Sequence, residues 1–135
     1  MKTLSLMLFA AVGVAGCGKV EAENSSRQDK PTIGREDAMQ MIWRLPEVVA
    51  WTEQVKGQPG GNVRPVCKLE RTPTDCEAAG ERPAWRFYFG VAAATQTVLW
   101  NRFEVDSATG EIRVWDHVGD SYMTLVEWRR GRRDT

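Results

Sequence analysis

A single histidine, only three cysteines, no excess charge of either sign and no apolar run of bilayer-spanning length set the first limits on this 135-residue chain. Nucleophile–base chemistry is hard to assemble around one imidazole, and a tetrahedral metal site lacks strong ligands. No two cysteines have the two-residue spacing of a redox or zinc pair. Eighteen basic residues balance eighteen acidic ones, so no overall field gathers phosphate backbones, and nucleic-acid binding is disfavoured. The four arginines of "WRRGRR" at 128–133 are the local exception; a basic tail of that kind is ordinarily solvated. What the chain does have is tryptophan, six in all. Together with 42% hydrophobic residues, this suits one small domain with a single core.

The uncharged stretch 3–16, "TLSLMLFAAVGVAG", follows Met1 and Lys2 and has the apolar length of an export signal, too short to span a bilayer comfortably. Just before Cys17 stand Val14, Ala15 and Gly16, an apolar residue followed by two small ones that suit a peptidase pocket. This "VAGC" resembles a bacterial lipobox, whose cysteine receives a diacylglycerol thioether and becomes the first residue of the mature protein. The competing reading is an ordinary signal peptide cut beside Cys17. The lipobox resemblance implies a signal peptide over 1–16, a lipidated Cys17, and membrane partnership through that anchor. Gly18, where an aspartate would retain a lipoprotein in the inner membrane, implies an outer-membrane protein facing the periplasm. Residues 17–34 then read as a polar tether closed by Pro31 and Gly34.

With Cys17 acylated, Cys67 and Cys76 are left as an even pair in an oxidising compartment, and a disulfide between them is expected to pin a connection. The intervening segment contains Pro73 and Asp75 as turn formers, and closing so short a loop is worth roughly 2–3 kcal/mol in the chain-entropy view.

Between Arg35 and Lys56, Ala38, Met41, Ile42, Leu45, Val48, Val49, Thr52 and Val55 recur near helical spacing. Pro46 breaks the run, which predicts one helix to Arg44 and another from Pro46. Strand patterns follow at "AWRFYFGVA", "TQTVLWNRFEVD" and "GEIRVWD", the last two joined through "DSATG" as a hairpin. A weaker strand, "VRPVCKLE", contains Pro65 and belongs at an edge or a strand start. Thr124 and Glu127 have capping-box spacing, which predicts a short terminal helix ending at Gly131 and a basic tail over 132–135. The expected fold is α+β over 35–131: an N-terminal helix broken at Pro46, packed on an antiparallel sheet of three to four strands, with a short C-terminal helix.

Residues 100–116, "WNRFEVDSATGEIRVWD", are similar to the strand-turn-strand of PepSY-like and cystatin-like periplasmic domains through Phe103, Val105, Asp106, Thr109, Gly110 and Ile112. That resemblance implies an inhibitory or binding module rather than an enzyme.

Alternation places Trp85, Phe87, Phe89, Val91, Leu99, Phe103, Val105, Ile112 and Val114 towards the helix. The opposite face then carries Arg86, Tyr88, Trp100, Arg102, Glu104, Glu111, Arg113 and Trp115. Tyrosine, tryptophan and arginine are hot-spot residues, so Arg86, Tyr88, Trp100, Arg102, Arg113 and Trp115 are the candidate partner-binding set. The same residues also suit a self-stacked cation–π ladder, or a face covered by the terminal helix through Leu125 and Trp128.

No catalytic, cofactor or metal site is assigned. His117 sits in "WDHVGD" with only Asp116 and Asp120 near it in sequence, "DSATGEIRVWD" lacks the ligand spacing of a calcium loop, and the carboxylates Glu104 and Glu111 are routine on exposed strands. The expectation is a periplasm-facing domain that binds a protein partner in the envelope. An inhibitor or immunity-type protein against a cell-wall hydrolase or protease is its sharper form. An envelope-assembly accessory and a small-ligand or glycan binder are the alternatives. Membrane-extracted protein should begin at Cys17 and carry acyl mass there, and Cys17→Ser should release the chain from membranes; an intact mass with a free Cys17 thiol contradicts the anchor.

Overall fold

Pro46 divides the first helical stretch as its chemistry requires. Helix α1 (Arg35–Trp43) stops at Arg44, and α2 (Pro46–Lys56) starts on the proline itself. Leu45 between them is extended, the conformation that a following proline ring enforces. The computed structural model in which this is seen describes residues 32–134. The signal segment, Cys17 and the tether up to residue 31 lie outside the described residues.

The remaining elements are β1 (Arg64–Arg71), α3 (Pro73–Ala78), β2 (Ala84–Ala92), β3 (Thr97–Asp106), β4 (Ile112–Asp116), β5 (Ser121–Thr124) and α4 (Leu125–Arg133). All five strands pair antiparallel in chain order β1-β2-β3-β4-β5, a meander with β1 and Pro65 at one edge. The fold is α+β as expected, with one strand more than the three to four anticipated. That strand, β5, is only four residues long, too short for alternation to announce it.

The core lies between the sheet and helices α1, α2 and α4. Ala38 and Ile42 from α1, Val48, Trp51 and Val55 from α2, and Phe87, Phe89, Phe103, Val105 and Val114 from the sheet are buried together. Trp51 takes the inward place expected of Thr52, and Val49 is 46% exposed, because the break at Pro46 resets the helical phase. Helix α4 joins from the same side: Leu125 and Trp128 pack on this cluster, with the Trp128 ring edge-on to Phe103.

The β3–β4 hairpin forms as predicted. Asp106 Oδ1 accepts hydrogen bonds from the backbone N–H groups of Ala108 and Thr109, and Gly110 takes φ +79°. Burial alone would raise the Asp106 carboxyl, but those N–H groups and Arg82 outweigh it and hold it below the usual range. A side chain at 110 would also press on Ile33, whose N–H donates to Ser107 O.

Two expectations are corrected here. Thr124 and Glu127 do form a capping box, but α4 runs through Gly131 to Arg133, so Arg132 and Arg133 belong to its last turn instead of a tail. Arginines there complement the negative end of the helix dipole. Cys67 and Cys76 are not bridged; both are free. Cys67 pairs in register with Phe89, whereas the Cys76 thiol donates to Ala84 O, five residues down β2. That offset is roughly 16 Å along the strand, and a disulfide needs Cα atoms within about 7 Å. The spacing misled because Pro73 and Asp75 start helix α3 rather than a turn: Thr72 Oγ1 accepts from Asp75 N–H, and Asp75 accepts from Thr72 N–H. Burial pushes the Cys67 thiol up to about 12, so little thiolate forms near neutrality. Denatured without reductant, the chain should therefore take alkylating label at both Cys67 and Cys76, while the native protein labels slowly; a linked peptide pair in a non-reducing map contradicts this.

Candidate functional site

Because α1, α2 and α4 all pack on one side, they leave the other side of the sheet uncovered; only the short α3 packs there, at the start of β2, where its buried Cys76 lies against Ala84. The rows of this side read Lys68 and Glu70 on β1, Arg86 and Tyr88 on β2, Arg102 and Glu104 on β3, Arg113 and Trp115 on β4, and Tyr122 on β5. The terminal helix therefore does not cover this face, which disposes of one of the alternatives.

Five of the six candidate partner-binding residues, Arg86, Tyr88, Arg102, Arg113 and Trp115, lie on this open face. Trp100 does not. It stacks on Trp51 of α2, centroids 4.4 Å apart and planes 4° from parallel, and reaches Phe103 at 6.0 Å. The cause is a β-bulge: Phe89 pairs with Asn101 and Gly90 with Leu99, which leaves Trp100 as the extra residue and turns it to the helix side. Leu99, expected in the core, is carried to the Gly90 side by the same shift. Glycine is required at 90, since a Cβ there would come within 2.5 Å of Val98 O and 2.7 Å of the Tyr88 ring.

The face is knitted by arginine pairs. Arg86 donates through Nε to Glu104 at 3.0 Å, lies 2.8 Å from Glu81 on the α3–β2 loop, and sits over the Tyr122 ring at 4.9 Å. With side chains only 19% and 11% exposed, Arg86 and Glu104 form more than a loose surface pair. Burial pulls the Arg86 guanidinium down, but the Glu104 carboxylate outweighs it and raises its pKa. Arg102 donates to Glu70 at 2.9 Å and lies over Tyr88 at 5.8 Å. Arg113 pairs with Glu111, and Trp115 meets Tyr122 edge-on at 5.0 Å. The self-stacked ladder is thus real, yet it leaves room: Glu70, Arg71, Arg86, Arg102, Trp115 and Tyr122 line a groove of about 320 Å³. Guanidinium donors, carboxylate acceptors and two aromatic walls suit recognition by shape and hydrogen bonding. A larger cleft of about 410 Å³ runs along α2 beside Trp43, Val49, Thr52 and Lys56, but brings together fewer polar groups.

The carboxylates considered for hydrolysis are engaged otherwise, Glu104 with Arg86, and Glu111 with Arg82 and Arg113. His117 is exposed in the β4–β5 turn, and no cluster of metal-ligating side chains forms among the described residues.

Tyr122 was missed in the sequence for the same reason as β5. Burial raises its phenol to about 12, against the lowering charge of Arg86. An acid whose folded pKa lies above its unfolded value of about 10 holds its proton longer when folded. Stability should therefore be intact below pH 10 and fall between pH 10 and 12, a loss that Tyr122→Phe reduces; unchanged melting over that window in both proteins contradicts the burial. Trp100→Ala should cost about 2–4 kcal/mol in denaturant unfolding and Trp115→Ala distinctly less; equal costs would contradict the placement of these rings on opposite faces. No family model, no curated protein and no solved structure matches this chain.

Proposed function

We propose that this is a lipid-anchored, periplasm-facing binding domain of the outer membrane that grips a protein partner with its open sheet face and catalyses nothing. The single observation that carries the reading is the sheet face left open by α1, α2 and α4, where Arg86, Arg102, Trp115 and Tyr122 line a groove and Tyr88 and Arg113 stand on the same face. Ion pairing and stacking hold these side chains in place before any partner arrives, which lowers the ordering cost of binding. The sharper form of the proposal is an inhibitor or immunity-type protein that blocks a cell-wall hydrolase or protease reaching the periplasm. Small size and the lipid signal suit that role, and they suit an envelope-assembly accessory as well. The aromatic walls of Trp115 and Tyr122 favour a second reading, a small-ligand or glycan binder using the same groove.

Affinity capture with the chain and with Trp115→Ala and Arg102→Ala variants tests the face. Loss of an anchor residue at a hot spot costs 2 kcal/mol or more, roughly thirtyfold in affinity. Trp100→Ala, corrected for its stability loss, should leave binding nearly unchanged. A partner held equally well by all variants would defeat the sheet-face proposal. Deletion that sensitises cells only when a particular hydrolase is present would separate the inhibitor from the accessory.

A further inference from the structure

Charge is segregated in this near-neutral domain. Helix α4 holds four arginines against one glutamate, while the rest of the described residues hold ten basic against fourteen acidic. Its one glutamate is used locally, since Glu127 accepts from the Thr124 N–H and hydroxyl in the capping box. Arg129 is held by a two-pronged contact with Glu47 of α2 at 2.9 and 3.2 Å. Burial pushes the Glu47 carboxyl up, but hydrogen bonds from Arg129 and its own backbone, with the charges of Arg129 and Arg132, outweigh it and keep it ionised. Glu47, Arg129, Arg132 and Arg133 line a cleft of about 220 Å³. On the outer side of the helix, Val126, Arg130 and Arg133 fall four and three residues apart, so they share one stripe. All three are exposed, Val126 at 63%. The inner side, Leu125 and Trp128, is spent on the core.

We propose that this outer stripe of α4 is a membrane-surface contact that takes the phosphodiester headgroups of anionic lipids, with Val126 at its apolar margin. It rests on the lipid-anchor reading given above. Two features of the fold favour a lipid layer as the occupant. The described chain enters at the β3–β4 turn, where Ile33 meets Ser107 and Gly110, and α4 begins at that same end, since Thr124 pairs with Arg113. The fifteen residues 17–31 that precede the domain reach at most about 50 Å, so a lipid on Cys17 holds the domain within that distance of the surface and attaches it from this end. Helix α4 also packs on the sheet side opposite Arg86, Trp115 and Tyr122. A domain resting on α4 turns its open face away from the lipid and towards the periplasm.

The test is amide hydrogen exchange on the full lipid-bearing protein in nanodiscs of phosphatidylcholine alone or with phosphatidylglycerol. The last turn of a terminal helix frays, so its amides report a surface contact. Exchange over 129–134 should slow several-fold on the anionic discs, return towards the neutral-disc rate in high salt, and lose the difference in Arg130→Gln/Arg133→Gln. An arginine near an anionic surface contributes about fivefold in binding, so flotation of this pair variant with anionic vesicles should be roughly twenty-five-fold weaker where the anchor is absent. Equal exchange on both discs, or a slowing that survives the double substitution, overturns the proposal. So does slowing by added duplex DNA but not by anionic lipid. A chain that fails to stay on neutral discs refutes the anchor alone; flotation of that same chain with anionic against neutral vesicles then decides the α4 contact, and equal flotation overturns it.

Discussion

The stack of Trp100 on Trp51 is the contact on which the layer arrangement turns. It joins α2 to β3 through two large, nearly parallel rings and continues through Phe103 to Trp128 of α4 and through Phe89 to Trp43 at the end of α1. One chain of aromatic contacts thereby ties α1, α2 and α4 to one side of the sheet. Such pairs add to area burial through their ring geometry. Phe87, Phe89 and Phe103 are fully buried, and Trp51 with the half-buried Trp43, Trp100 and Trp128 extends the core around them.

The consequence appears on the other side. With α1, α2 and α4 committed to the aromatic core, most of the opposite face has to satisfy its own polar groups, and it does so with alternating arginine and glutamate over tyrosine. Arg86 with Glu104 and Arg102 with Glu70 are partly withdrawn from water, where an unpaired charge would be costly. The pairing fixes the long side chains in defined positions while the rings of Trp115 and Tyr122 stay open to a groove. Stability and readiness to bind thus draw on the same contacts, and mutations there have to be read for both. Helix α4 is outside this economy: its outer arginines have no matching row of acids on the helix, and the domain's charge asymmetry follows from that.

Several elements were legible because they rest on local chemistry. The Pro46 break, the Asp106–Gly110 turn, the Thr124–Glu127 capping box and the edge placement of Pro65 each depend on one or two residues whose backbone demands hold in any surrounding. Five of the six proposed binding residues also fell on the shared face, since alternation along regular strand is a two-residue rule. The failures have a common origin in events between segments. Nothing near Trp100 announces the bulge, because it arises where Gly90 on the neighbouring strand lets a backbone and the Tyr88 ring approach. The Cys67–Cys76 spacing resembles a short closed loop because Pro73 and Asp75 are turn formers by residue type, whereas here they begin α3, a six-residue helix.

The sequence by itself determined the α+β class, the split first helix, the main hairpin and the chemical character of one sheet face. It did so because propensity, capping and alternation act over a few residues. Which way Trp100 points, where the terminal helix docks, the separation of the two thiols and the strand that carries Tyr122 were decided only in the tertiary structure. Each depends on strand register, and register is settled by packing between residues far apart in the chain.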